Sequence, residues 1–188
     1  MLILLDCDGV LADFFDYLLK LAGSEYTCAD LTDWDIFKWL GETELKTAKM
    51  LLSGPEFWAT QPVLEGAQQS VEAFRSEGHH VICVTSPWLP CKYWGYARRE
   101  WLKTNFDIPP EDVIVAYSKY HLRGDVFIDD KPASVRQWNH ANPGKYALLY
   151  DQPYNEAERL DHDRDFDRAS WKPTRRGIRS PRAWLTAE

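Results

Sequence analysis

Short apolar runs alternate with amphipathic stretches along most of the chain. The runs are rich in leucine and β-branched residues and end at polar residues, which predicts strands buried on both faces. They cover residues 2–5, 81–84, 113–115, 126–128 and 146–150. Helical spacing of apolar residues follows at residues 66–77 and 93–105, and Pro132 is expected to begin a further helix.

Strand–helix alternation of this kind predicts an α/β fold with a Rossmann-like parallel sheet flanked by helices. Ligands of such sheets bind beyond the carboxyl ends of the strands. Some 75 residues separate the first two strands, far more than a crossover needs. We therefore expect a small helical insertion at residues 13–64, with helices at residues 16–23 and 43–53. Residues 1–12 and 65–188 then form the main domain.

Composition and charge narrow the class of protein. The 188 residues are 45% hydrophobic and 14% aromatic, with a formal net charge of −7. These values argue against a disordered chain and against a sequence-independent binder of duplex nucleic acid. The charge is uneven, because residues 159–188 hold 8 basic and 5 acidic side chains. We expect these residues to form a solvated basic C-terminal tail, with a nucleic-acid or partner contact as the alternative.

The cysteines and the apolar segments bear on cellular location. Cysteines at positions 7, 28, 83 and 91 show no CxxC spacing and are typical of reduced thiols. Residues 1–5 are too short for a signal peptide, and no stretch approaches the roughly 20 apolar residues that span a bilayer. We therefore expect a cytoplasmic protein without a membrane partner. A homodimer stays open as an alternative to a monomer.

Paired carboxyl groups follow two of the predicted strands. Asp6 and Asp8 come at the end of the first strand, and Asp129 and Asp130 follow the fourth. Like charges this close coexist only with a cation between them or with one group protonated. Carboxyl oxygens are the ligands that Mg²⁺ prefers. A turn or a loop cap would explain one pair alone, but the two pairs together indicate a Mg²⁺ site.

Two further features are typical of phosphate binding. Thr85 and Ser86 end the second strand, where a hydroxyl and backbone N–H groups can bind an anion. Lys119 lies ten residues before Asp129, where an ammonium can neutralise charge on a transferring phosphoryl group. A helix cap and a solvated lysine would explain each feature alone. Together with the carboxyl groups, they predict one pocket for a cation and an anion.

In this order, the motifs resemble those of the haloacid dehalogenase-like hydrolase superfamily. Residues 5–14, LDCDGVLADF, are similar to the first motif of the 5′(3′)-deoxyribonucleotidases. Residues 85–87 with 92–93, and residues 128–132, are similar to later motifs of the same family. The likeness covers roughly residues 1–155. It implies a Mg²⁺-dependent phosphatase of nucleoside monophosphates, such as dUMP or dTMP.

The resemblance implies roles for the four aspartates. Asp6 is the expected nucleophile, which forms an aspartyl-phosphate. Asp8 is the expected general acid for the leaving oxygen and then the base for water. Mg²⁺ is expected to bind the carboxylate of Asp6, the backbone carbonyl of Asp8, and Asp130, with Asp129 in support.

The resemblance also implies a set of phosphate ligands. Thr85, the amide of Ser86 and Lys119 are expected to bind the phosphate. Arg98, on the helix after these residues, is a further candidate, at a place where the family has a lysine. Lys131 occurs where relatives often have arginine, so a point charge replaces a bidentate fork.

The predicted insertion matches the position of the small helical cap in this superfamily. Such caps close over the site and exclude water. Aromatic side chains there would stack on a nucleotide base. We expect Phe14, Trp34 and Phe57 in this role, with Trp58 and Ile36 as further candidates. Packing in a small core of the insertion is the alternative for each of them.

Other functions stay open at the level of sequence. A related phosphatase could act on another small phosphate or on a polynucleotide 3′-phosphate, although the acidic body and small insertion disfavour a long nucleic acid. A phospho-acceptor signalling module gathers similar residues around Mg²⁺, but it lacks a carboxyl group two residues after the acceptor. A catalytically idle binding protein is disfavoured by the complete set of motif residues.

Overall fold

The computed structural model describes residues 1–156 and 167–171. Within these residues, six strands form one sheet: β1 Leu2–Leu5, β2 His80–Thr85, β3 Val113–Val115, β4 Val126–Asp129, β5 Tyr146–Tyr150 and β6 Asp167–Ala169. Their order is β3-β2-β1-β4-β5-β6, and every neighbouring pair is parallel. The predicted parallel α/β sheet is confirmed.

Six α-helices accompany the sheet in the described part of the chain. They are α1 Phe14–Ala22, α2 Glu42–Ser53, α3 Pro55–Thr60, α4 Ala67–Ser76, α5 Trp94–Phe106 and α6 Pro132–Ala141. Side chains of β1 pack alternately on the two faces of the sheet. Ile3 belongs to the core with Phe74 of α4, and Leu4 belongs to the core with Trp138 of α6. Since both faces are buried, β1 is apolar throughout.

The strand order reverses at β1. From β1 the chain builds β2 and β3 to one side, and it then returns to add β4 and β5 on the other. Leu5 pairs with Ile128, and the backbone N–H of Asp6 donates to the carbonyl of Ile128 at 2.9 Å. The carboxyl ends of β1 and β4 are therefore neighbours at the topological switch point, where open α/β sheets bind ligands.

The segment between β1 and β2 contains α1, α2, α3 and α4, and we refer to residues 13–64, which hold the first three of these helices, as the insertion. The chain enters and leaves it through a connecting pair, residues 11–13 and 62–64. Ala12 and Val63 form an antiparallel bridge. The N–H of Asp13 donates to the carbonyl of Pro62 at 2.9 Å, so these two segments hold each other in place.

Two helices of the insertion differ from the prediction. The sequence predicted a helix over residues 16–23, whereas α1 covers Phe14–Ala22 and stops where Gly23 adopts a left-handed conformation. The helix predicted over residues 43–53 corresponds to α2, which ends at Ser53, but α3 was missed. Proline fits the first turn of a helix, and Pro55 both follows α2 and begins α3.

The expectation of a solvated C-terminal tail is wrong for residues 167–171. β6 pairs in parallel with β5, and Trp171 is buried against the ring of Tyr150, with centroids 5.2 Å apart. The indole Nε1 of Trp171 donates to the carbonyl of Val10 at 2.6 Å. The rest of the predicted tail, residues 159–166 and 172–188, lies outside the described residues.

Within the described ranges, no helix combines the length and the apolar character that are needed to cross a bilayer.

Candidate active site

A tight turn after β1 places the first two acidic residues. The carbonyl of Cys7 accepts from the N–H of Leu11 at 2.8 Å and of Ala12 at 2.9 Å, and the Cys7 side chain is buried. Gly9 has φ of 78°, and a Cβ there would overlap the carboxyl group of Asp130. The glycine therefore allows both the turn and the close approach of β4.

Three carboxyl groups meet at the switch point. Asp6, Asp129 and Asp130 are buried, and each offers an oxygen within 4.8 Å of the others. The Nζ atom of Lys119 lies 2.7 Å from Oδ1 of Asp6 and 2.7 Å from Oδ2 of Asp129. Three acidic groups thus lie close to one buried ammonium, which contacts two of them, so acidic groups outnumber basic groups at this point.

Burial and mutual repulsion shift the pKa values of this cluster. Burial raises the pKa of Asp6 to about 7, although Lys119 opposes the shift. Burial, together with Asp129 and Asp6, raises the pKa of Asp130 well above its usual range. Burial disfavours the charge on Lys119, but the two contacting carboxylates outweigh it and raise the lysine pKa. Lys119 is therefore a cation at neutral pH.

The donor set of this cluster fits a hard divalent cation. Oxygen ligands from several carboxyl groups at one point are the chemistry that Mg²⁺ and similar ions prefer. A bound cation would also favour the ionised forms of Asp6 and Asp130, whose pKa values are raised by burial and by repulsion from neighbouring carboxylates. Mg²⁺, which the sequence predicts, therefore agrees with the residues present.

Tyr154 and Asn155 support Asp130, and sequence reasoning missed both. The Tyr154 hydroxyl donates a short hydrogen bond to Oδ2 of Asp130. The amide of Asn155 donates to the backbone carbonyl of Asp130 at 2.8 Å and to that of Tyr150 at 2.9 Å. Both residues follow the carboxyl end of β5, so the strand-end argument applied to the other strands would have found them.

Asp8 lies beside the cluster and has a partner of its own. Its Oδ1 atom is 2.6 Å from Nη2 of Arg98. The sequence placed Arg98 among the phosphate ligands, but its side chain is only 1% exposed and does not line the cavity described below. The other terminal nitrogen of Arg98 donates to Oε1 of Gln61 at 2.7 Å. Both terminal nitrogens of the guanidinium are thus already bonded inside the protein.

Thr85 and Ser86 end β2 with different surroundings. Thr85 is fully buried, and its hydroxyl oxygen has no hydrogen-bond partner in the structure. A buried hydroxyl without a partner is costly, so this atom fits a bound anion or water. Ser86 lines the cavity, and its hydroxyl donates to the carbonyl of Ala116 at 3.3 Å.

A cavity of about 320 Å³ opens above the carboxyl cluster. Its polar lining residues include Asp6, Asp8 and Lys119, and much of its aromatic lining comes from the insertion. Its further aromatic and apolar lining residues are Phe14, Phe15, Trp34, Ile36, Phe37, Trp58, Pro87, Trp88 and Tyr117. The four predicted aspartates line this cavity together with Ser86, Lys119, Phe14 and Trp34, whereas Thr85, Arg98 and Phe57 do not line it.

The three predicted base-stacking residues differ in position. Phe14 and Trp34 line the cavity, and Trp34 is 44% exposed. Phe57 is 3% exposed and does not line it; its ring packs against Phe14 at 5.7 Å and Trp58 at 5.2 Å. Core packing, the alternative considered from sequence, describes the position of Phe57.

Trp34 also links the insertion to the sheet. The Nζ atom of Lys131, which directly follows the β4 aspartates, lies 4.0 Å from the centroid of the Trp34 ring. Both residues of this cation–π contact line the cavity. The sequence predicted Trp34 as a base-stacking residue, but nothing in the pattern indicated its cationic partner.

Comparisons with known proteins identify the family. The family model described as 5′ nucleotidase, deoxy (Pyrimidine), cytosolic type C protein matches residues 1–180. A Bordetella pertussis (strain Tohama I) protein, provisionally named a 5′(3′)-deoxyribonucleotidase, is 26% identical over 166 residues, covering 82% of this chain and 86% of that protein. A protein of the same provisional name from Bordetella bronchiseptica (strain RB50) is 25% identical over the same shares.

A solved structure shares the fold. The crystal structure of a provisionally assigned haloacid dehalogenase-like hydrolase from Burkholderia xenovorans LB400 superposes with a TM-score of 0.55 at 15% identity, covering 99% of this chain and 98% of that one. The likeness supports the α/β architecture, and the family resemblance predicted from the motifs is confirmed by the family model. The chain belongs to the family of cytosolic type C 5′ nucleotidases, and it is an enzyme of the nucleotidase and phosphatase class.

Proposed function

We propose that the enzyme is a Mg²⁺-dependent phosphomonoesterase that hydrolyses deoxyribonucleoside monophosphates through an aspartyl-phosphate. The observation that carries the proposal is the contact of Asp6 with Lys119 in a cavity that is also lined by several aromatic side chains. The polar lining suits a phosphate group, and the aromatic lining suits a nucleotide base.

Mg²⁺ would be held by the carboxylates of Asp6 and Asp130 and by the backbone carbonyl of Asp8, with Asp129 in support. When bound, the ion supplies positive charge that offsets repulsion between an anionic nucleophile and a phosphate dianion. Tyr154 and Asn155 would hold Asp130 in position through the hydrogen bonds described above.

Asp6 would attack phosphorus with a carboxylate oxygen, forming a new O–P bond as the bond to the nucleoside oxygen breaks. Asp8 would donate its proton to that leaving oxygen. In the second half of the reaction, Asp8 would take a proton from water as the water attacks phosphorus. Phosphate then leaves, and Asp6 is restored as a carboxylate.

Lys119 would have two tasks in this scheme. Its contact with Asp6 at 2.7 Å favours the ionised form of that carboxyl group, which opposes the effect of burial, and would orient it. Its positive charge would also stabilise the negative charge on the phosphoryl oxygens. Thr85, with its unpartnered hydroxyl, and the amide of Ser86 would bind the phosphate on the β2 side.

The insertion would act as a cap over this site. Its residues Phe14, Trp34 and Trp58 line the cavity together with the polar residues at the strand ends. A cavity of about 320 Å³ falls at the lower end of the range for small-molecule sites, which is about 300–1,000 Å³. We therefore favour a mononucleotide over a polynucleotide.

Substrate class and location rest partly on the relatives. The family description names deoxy and pyrimidine compounds, and the Bordetella proteins are provisionally named deoxyribonucleotidases. Pyrimidine deoxyribonucleotides such as dUMP and dTMP are therefore the first substrates to test. The four cysteines are free and buried, which supports a reducing compartment such as the cytoplasm.

A phosphate-release screen tests the proposed function. Purified protein is incubated with dUMP, dTMP, ribonucleotides, sugar phosphates and a 3′-phosphorylated oligonucleotide, with Mg²⁺ or with EDTA. We expect Mg²⁺-dependent release that is fastest from deoxyribonucleoside monophosphates. The Asp6→Asn variant should be inactive, and Asp107→Asn, an exposed carboxyl group after α5, should match the parent. Equal release with EDTA, or preference for the oligonucleotide, would contradict the proposal.

A further inference from the structure

Arg98 joins the expected general acid to the insertion. Its Nη2 atom is 2.6 Å from Oδ1 of Asp8, and its Nη1 atom is 2.7 Å from Oε1 of Gln61. Asp8 lies beside the carboxyl cluster, whereas Gln61 follows α3 at the end of the insertion. One buried guanidinium therefore bridges the catalytic turn and the segment through which the insertion returns to the sheet.

Gln61 is fixed on its other side. Its backbone carbonyl accepts from Nε1 of Trp101 at 2.8 Å, and the next residue, Pro62, accepts from the N–H of Asp13 in the connecting pair. Gln61 is therefore held by α5, which carries both Arg98 and Trp101, next to the connecting pair through which the insertion joins the sheet.

A third contact reaches the cavity. The guanidinium carbon of Arg98 lies 5.3 Å from the centroid of the Trp58 ring and 5.5 Å from that of Trp101. Trp58 is part of α3 and lines the cavity. A substrate that packs against Trp58 would thus press on the same side chain that holds Asp8.

From these three contacts we propose that Arg98 is a positioning residue: it couples the placement of the insertion to the orientation of the Asp8 carboxyl group. The inference rests on the proposed role of Asp8 as general acid and base. It replaces the sequence-based expectation that Arg98 binds the phosphate. A guanidinium that is 1% exposed and bonded at both terminal nitrogens is suited to orienting a neighbour.

A comparison of two leaving groups distinguishes a positioning role of Arg98 from a merely structural one. A nucleoside oxygen needs a proton from Asp8, whereas the p-nitrophenolate ion leaves readily without one. Arg98→Met should therefore lower kcat for dUMP by about 10- to 100-fold, with a small change in KM. The same variant should lower kcat for p-nitrophenyl phosphate much less. Arg99→Met, an exposed neighbour on α5, should match the parent on both substrates.

Two further variants distinguish the contact of Arg98 with Asp8 from its contact with Gln61. Arg98→Lys keeps the charge but lacks the fork that reaches two partners, so it should recover part of the lost rate. Gln61→Leu keeps the contact of Arg98 with Asp8 but removes the tie to the insertion. It should also slow dUMP more than p-nitrophenyl phosphate. If Arg98→Met does not fold in a thermal melt, these two variants carry the comparison.

A double-mutant cycle with Asp8→Asn completes the test. If Arg98 acts through Asp8, Arg98→Met should change kcat little in the Asp8→Asn background. Additive losses, or equal losses on both substrates in the single variants, would overturn the inference while leaving the nucleotidase function in place. A parent enzyme that releases no phosphate from either substrate with Mg²⁺ would instead overturn the proposed function, and the inference with it.

Discussion

At the scale of single residues, the site combines an excess of buried acidic groups with one residue that has no side chain. Asp6, Asp129 and Asp130 approach within 4.8 Å of one another, and Lys119 contacts two of them. Gly9 leaves the space that the Asp130 carboxyl group occupies. The first motif therefore requires its glycine for a steric reason as well as for its backbone conformation.

Gly9→Ala tests that reason directly. Alanine at φ of 78° is strained by about 1–3 kcal/mol, and its Cβ would also displace Asp130. We expect reduced free energy of unfolding and loss of phosphatase activity. Gly144→Ala is the matched control, because Gly144 has φ of 79° but nothing within 4 Å of a Cβ. Chemical denaturation should show that backbone strain lowers the free energy of unfolding in both variants. Phosphate release should be lost in Gly9→Ala alone. Full activity of Gly9→Ala would contradict the steric account.

At the scale of elements, the sequence predicts a strand best where its apolar pattern follows from burial alone. β1 is apolar because both faces of the sheet bury it, and the acidic residues that end β1 and β4 meet because parallel strands end at one edge. β6 is different, since Asp167, Arg168 and Ala169 carry no apolar pattern. Its place depends on pairing with β5 and on buried Trp171, which only the folded chain brings together.

The positions of the aromatic residues in the insertion also could not be predicted from the local sequence pattern. Trp34 and Phe57 were equal candidates by sequence, yet Trp34 lines the cavity and Phe57 packs inside the insertion. Local periodicity does not distinguish the two, because the insertion buries aromatic rings on its own account and also presents them to the cavity. The sequence therefore predicts the carboxyl groups at the strand ends better than the aromatic residues that line the cavity.

Trp34→Ala tests whether the insertion contacts the nucleotide base. Because Trp34 is 44% exposed, the fold should tolerate the change. Loss of a stacked base should weaken nucleotide binding by about 1–3 kcal/mol, with little effect on p-nitrophenyl phosphate. Tyr96→Ala, an exposed aromatic residue on α5, is the matched control and should leave KM for dUMP unchanged. Equal effects of Trp34→Ala on both substrates would mean that Trp34 only packs against Lys131.

At the scale of the whole molecule, we expect the carboxyl cluster to make the free energy of unfolding depend on pH and on a bound cation. The pKa of Asp6 is raised from 3.8 to about 7 by burial, and that of Asp130 is raised in the same direction. Between pH 3.8 and about pH 7, the Asp6 carboxyl group of the folded protein keeps a proton that the same group in the unfolded chain has released. The free energy of unfolding of the metal-free protein should therefore fall as pH rises through this window.

Thermal melts with EDTA and with Mg²⁺ test this dependence. Mg²⁺ binds the ionised carboxylates and competes with protons, so it should raise Tm more at about pH 8 than at about pH 5. Asp130→Asn should reduce the effect of Mg²⁺, whereas Asp107→Asn, the exposed carboxyl group, should preserve it. A rise in Tm that is the same at both pH values would contradict a metal site built on these carboxyl groups.

The central claim is that Asp6 takes the phosphoryl group from the substrate. The direct measurement is rapid acid quenching of the enzyme during turnover of dUMP with Mg²⁺, followed by mass spectrometry of its peptides. We expect one added phosphoryl group on Asp6 in the parent enzyme and in Asp107→Asn, and no added phosphoryl group in Asp6→Asn. A phosphoryl group on another residue, or steady turnover by Asp6→Asn, would contradict it.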